Sequence, residues 1–107
     1  MAMYETAVND IDNLDRDMLM ERLAHELPVI SGEMGTTPTG IAWRSGMEED
    51  RIRLMVSGKR KMKWSEYMGL LFVLLGDEKG NEMVEELGLF PDELKKAMSV
   101  NRNGHEA

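Results

Sequence analysis

At 107 residues the chain has the length of one domain, and 42% hydrophobic with 31% charged residues is the balance of a folded protein rather than a disordered one. It contains no cysteine, which removes disulfides, thiolate metal sites and cysteine nucleophiles together. The net charge of -7 sits mostly in the N-terminal half, with 5 Lys/Arg against 11 Asp/Glu over residues 1–56 and 8 against 9 over 57–107. Such a balance opposes nonspecific attraction to phosphate backbones and anionic lipid, and favours a basic protein partner.

Residues 1–10 show little apolar periodicity, and 101–107 are polar and turn-forming, so mobile ends are expected on a single small globular domain spanning 1–107. The N-terminus lacks the basic region and apolar stretch of a secretory signal, and a cytoplasmic protein is the expectation. A helix is predicted from Asp15 or Asp17 to Leu27, stopped by Pro28. Leu19, Met20, Leu23, Ala24 and Leu27 share its apolar side, with Glu21, Arg22, His25 and Glu26 opposite. Ile11, Leu14 and Met18 fall on a second stripe beside Asp10, Asp12 and Asp15. Residues 28–40 hold two prolines and three glycines and read as a loop.

Over residues 40–57 two patterns compete. Ile41 and Trp43, then Ile52, Leu54 and Val56, alternate as in a β-hairpin. Ser45 with Glu48, Glu49 with Arg53, and a terminal Gly58 instead suit a helix. The hairpin is preferred, because a helix starting at 45 would leave 28–45 as a long structureless loop.

The basic run Lys59, Arg60, Lys61, Lys63 then leads into the most apolar segment, Tyr67–Leu75, with Ser65 as its cap and Gly76 as its stop. Nine residues are about half of the roughly 20 a membrane span needs, so burial within the domain is predicted, with Gly69 as the point of closest helix approach. Asp77 opens a further helix with Met83, Val84 and Leu87 inward and Gly88 as its end. Pro91, Asp92 and Glu93 open a last one holding Leu94, Ala97 and Met98. The predicted fold is α+β and mostly helical: about four helices around a central buried helix at 64–75 with a small β-hairpin at 40–57, the alternative being all-α.

Catalytic chemistry finds no constellation. His25 shares a polar helix face with Glu21, the usual setting of a solvated pair, and His105 is in the tail. Gly32, Gly35 and Gly40 lack P-loop spacing, and no metal-ligand cluster stands out, so no catalytic residue, metal or cofactor is assigned. Met83–Leu94 has the apolar, glycine, apolar spacing of a helix-turn-helix, yet its second helix would begin with Asp92 and Glu93, which repel phosphates. Eleven methionines most simply fill an aromatic-poor core; on a surface they accommodate partners of varied shape.

In size and charge the chain is similar to small acidic accessory proteins of phages and mobile elements, including assembly chaperones and inhibitors of host defences, though no motif carries the likeness. The expected function is a non-enzymatic protein-interaction module of accessory, assembly or inhibitor type. Its partner-binding residues would be Asp10, Ile11, Asp12, Leu14, Asp15 and Met18, facing a basic protein or a second copy. Lys59, Arg60, Lys61 and Lys63 are candidate contacts for phosphate or an acidic partner. A helix-turn-helix-like nucleic-acid-binding regulator is the alternative.

Overall fold

The computed structural model describes residues 14–97, and every regular element among them is helical. The chain divides into two compact units, one of them Arg16–Leu89 and the other including residues 14, 15 and 90–97. The first holds α1 (Arg16–Glu33), α2 (Pro38–Arg44), α3 (Glu49–Val56), α4 (Trp64–Leu75) and α5 (Glu78–Glu86). In the second, residues 92–97 are helical, Leu94 is buried and the Lys95 ammonium lies 5.4 Å from the Phe90 ring centroid. The expected mobile ends at 1–10 and 101–107, and Met98, fall outside the described residues. No helix among the described residues is long and apolar enough to cross a membrane.

α1 does not stop at Leu27. It runs through Pro28 to Glu33, although proline offers no N–H to the carbonyl of residue 24. Burial explains the continuation: Ile30 and Ser31, both past the proline, are enclosed with Leu19, Leu23 and Leu27, and the Ser31 hydroxyl donates to the Pro28 carbonyl at 3.0 Å. Enclosing Ile30 contributes about 1.5–3 kcal/mol, comparable with the roughly 3 kcal/mol an interior proline costs.

The β-hairpin expected over 40–57 is replaced by two short helices, and the α+β class gives way to an all-helical one. Thr37 caps α2, its hydroxyl accepting from the Gly40 N–H at 3.1 Å, and Pro38 stands at the first helical position. Ile41 is buried while Trp43 is 81% exposed, so the two do not share a face as strand neighbours would. In α3 the enclosed pair is Ile52 and Met55, at helical rather than alternating spacing. The objection to a helix here was the long loop it left behind. With α1 reaching Glu33 and α2 beginning at Pro38, that loop shrinks to a turn.

Gly46 and Gly58 end these helices with φ of 80° and 79°. After α3, the Gly58 N–H donates to the Met55 carbonyl (3.1 Å) and the Lys59 N–H to the Leu54 carbonyl (2.9 Å), a Schellman closure. The same pair of bonds closes α2 through Gly46 and Met47.

α4 packs against α1, α2 and α5 through Tyr67, Leu70, Leu71 and Leu74. It is central but not enclosed all round, because Phe72, on the opposite side, is 80% exposed. Its cap is Lys63 rather than Ser65: the Glu66 carboxylate reaches back to accept from the Lys63 N–H at 2.7 Å. Gly69 makes no close approach, since an added Cβ would meet nothing within 4 Å. The tight crossing is at Gly80 in α5, where a Cβ would stand 2.5 Å from the Leu74 carbonyl oxygen. Asp77 fixes that crossing by accepting from the Gly80 N–H at 2.9 Å.

Candidate functional site

Within the Arg16–Leu89 unit, α1 and the end of α3 border a groove of about 420 Å³. The α1 wall is one stripe, Asp17, Met20, Glu21 and Ala24, at i, i+3, i+4 and i+7. Opposite stand Met55 and Val56 from the last turn of α3. The Schellman turn at Gly58 then reverses the chain and brings Arg60, Lys61 and Met62 to the same groove. Met55 and Met62 are buried, while Met20, Ala24 and Val56 are half-buried. The interior is therefore apolar and rich in methionine, with exposed carboxylates on one wall and exposed cations on the other.

The basic wall is held in place from behind. Arg51 of α3 forks onto Glu66 of α4, Nε to Oε2 at 2.5 Å and Nη2 to Oε1 at 2.7 Å, and its Nη2 also lies 3.4 Å from the Lys61 carbonyl. Together with the Lys63 N–H on Glu66, these bonds tie the C-terminal end of the connection, at Lys61 and Lys63, to α3 and α4. The hydrogen bonds from Arg51 hold the Glu66 carboxyl below its usual range, and the same pairing raises the guanidinium.

The structure distributes the sequence-predicted residues unevenly. Asp10, Ile11 and Asp12 lie outside the described residues. Leu14 and Asp15 belong to the second unit, half-buried and exposed respectively. Met18 is 40% exposed on α1 but on a different stripe from the groove wall. Of the basic run, Arg60 and Lys61 border the groove; Lys59 is exposed, and Lys63 sits at the N-cap of α4. The residues that sequence reasoning missed are Asp17, Met20, Glu21, Ala24, Met55, Val56 and Met62. Met20 and Ala24 carry an ordinary core-face signal, and their place at the edge of that face depends on where α3 ends. The acidic pair Asp17 and Glu21, one turn apart, was the legible clue.

His25, which also borders the groove on the α1 side, pairs with neighbouring Glu26 (Nδ1 to Oε1, 3.4 Å) rather than with Glu21, and its side chain is 86% exposed. Gly88 closes α5 at φ 65°, and Asp92 and Glu93 are exposed at the start of the helical residues 92–97. Among the described residues no three His, Asp or Glu side chains converge as metal ligands. Comparison with protein families, with curated proteins and with solved structures finds no match.

Proposed function

We propose that this chain is a non-enzymatic protein-interaction module, of accessory, assembly or inhibitor type, whose groove between α1 and the α3–α4 connection takes an amphipathic helix from a partner protein. The observation that carries the reading is the methionine-lined groove with oppositely charged walls. Flexible, polarizable methionines adapt to aliphatic or aromatic anchors of differing shape. A helix presents such anchors at i, i+3 or i+4, and i+7, the spacing that an elongated apolar groove receives. Asp17 and Glu21 favour a basic edge on that helix, and Arg60 and Lys61 favour an acidic one, which sets its direction in the groove.

The nucleic-acid-binding alternative would use Lys59, Arg60, Lys61 and Lys63 against phosphate. Arg60 and Lys61 share their groove with Asp17 and Glu21, which would repel the same phosphates, so the geometry favours a protein partner.

Selection from a displayed library of helical peptides tests the proposal. Enriched peptides are expected to combine apolar anchors at helical spacing with a basic edge. Reversing Asp17 and Glu21 together to lysine should weaken them by about tenfold or more, since each exposed pair contributes up to about 1 kcal/mol. Enrichment of peptides indifferent to that reversal and to Lys61→Glu would remove the groove as the binding site. Salt-dependent binding of duplex DNA, lost on neutralising residues 59–63, would replace the proposal with the alternative.

A further inference from the structure

The chain has eleven methionines and no cysteine, so all of its sulfur is thioether and no thiolate competes for an oxidant. Three of these methionines meet in the groove between α1 and the α3–α4 connection, and they differ in access. Met55 and Met62 are enclosed, at 1% and 6% exposure, whereas Met20 is half-buried on the α1 wall. On that wall Asp17 stands one turn before Met20, Glu21 beside it and Ala24 one turn after. The two carboxylates repel anionic oxidants but not hydrogen peroxide, which is uncharged. Met18 is more exposed, at 40%, but it stands on another stripe and does not border the groove.

We infer that Met20 is an oxidation site through which peroxide switches partner binding off, an inference that rests on the groove being the binding site. The thioether sulfur attacks one peroxide oxygen, and the O–O bond breaks as the S–O bond forms. The proton on the transferred oxygen leaves with the departing hydroxide as water; the sulfur is oxidised to the sulfoxide and the peroxide reduced by the same pair of electrons. A flexible apolar group thereby becomes a polar, chiral one on the wall that a bound helix covers. Ala24, Met55 and Val56 offer the new oxygen no side-chain donor, and Arg60 and Lys61 across the groove are engaged by the partner's acidic edge. Covering Met20 sulfoxide with a helix therefore leaves a strong acceptor unsatisfied, which weakens binding. The change is reversible, because sulfoxide reductases return the thioether.

Peptide mapping by mass spectrometry on the full chain, at increasing times in hydrogen peroxide, reads the order of oxidation. Sulfoxide is expected at Met20 about tenfold faster than at Met55 and Met62, which react only when the fold opens. Affinity for a helical peptide selected on the reduced chain should then fall about tenfold (about 1.4 kcal/mol) with unchanged helical circular dichroism, and return on treatment with sulfoxide reductase. Met18→Leu should keep that loss. Met20→Leu should bind equally before and after peroxide, whatever its starting affinity. Equal oxidation rates at Met20, Met55 and Met62 overturn the inference, as does a loss that persists undiminished in Met20→Leu. A reduced chain that binds no helical peptide fails the groove reading and takes the switch with it, whereas binding that survives conversion of Met20 to the sulfoxide overturns the switch alone.

Discussion

Tyr67 is fully buried in the core. Its ring stacks on Trp64 with centroids 4.8 Å apart, and its hydroxyl donates to the Leu89 carbonyl. Burial pushes the phenol's ionisation up, against a smaller opposing pull from Arg22. A folded value above the unfolded one, about 10, means that this contribution to stability is complete below pH about 10 and is lost as pH rises beyond it. Tyr67→Phe should cost about 1 kcal/mol at neutral pH, by urea melts, and should lessen the alkaline loss. Glu66 has the opposite sign. Its carboxyl is held low by Arg51, so its contribution is present above pH about 4.3 and disappears as pH falls. Glu66→Gln should lower the urea midpoint at pH 7, with the gap from the parent closing in acid. Two glycines should part company: Gly80→Ala drives a methyl against the Leu74 carbonyl and should cost about 1–3 kcal/mol, whereas Gly69→Ala meets open space and should gain about 0.5–1 kcal/mol.

At the scale of elements, Pro28 decided how much could be read from sequence. Taken as a stop, it left 28–45 unassigned and made a hairpin the economical choice; taken as an interior residue held by Ile30 and Ser31, it lets every later segment be a helix. That outcome depends on burial, which periodicity does not report. Gly58 was readable as a helix end by turn chemistry, whereas the Thr37–Pro38 start of α2 was absorbed into the expected 28–40 loop and Gly46 into the expected hairpin. Alternation of Ile52, Leu54 and Val56 masked the helical pair Ile52 and Met55, because in eight residues the two periods overlap. Pro28→Ala should therefore raise stability, by up to about 3 kcal/mol, in thermal or urea melts with unchanged helix content. A fall in stability would mean that the proline is needed where it stands.

For the molecule as a whole, the groove arises from three choices that are distant in sequence: the acidic stripe on α1, the glycine turn after α3, and the Arg51–Glu66 pair that fixes the basic connection. Sequence reasoning placed acidity on the first helix and cations before α4, but not their meeting across Met20, Met55 and Met62. The chain contains eleven methionines, so methyl-labelled methionine spectra report on the groove and on its surroundings in one experiment. Titration with an amphipathic helical peptide carrying one basic and one acidic edge is the most direct test. The account predicts saturable shifts of the Met20, Met55 and Met62 methyls, while Met68 on the outer face of α4 stays in place. Shifts centred on Met68 or Met18 with the groove methyls unmoved, or no shift with any such peptide, would contradict it.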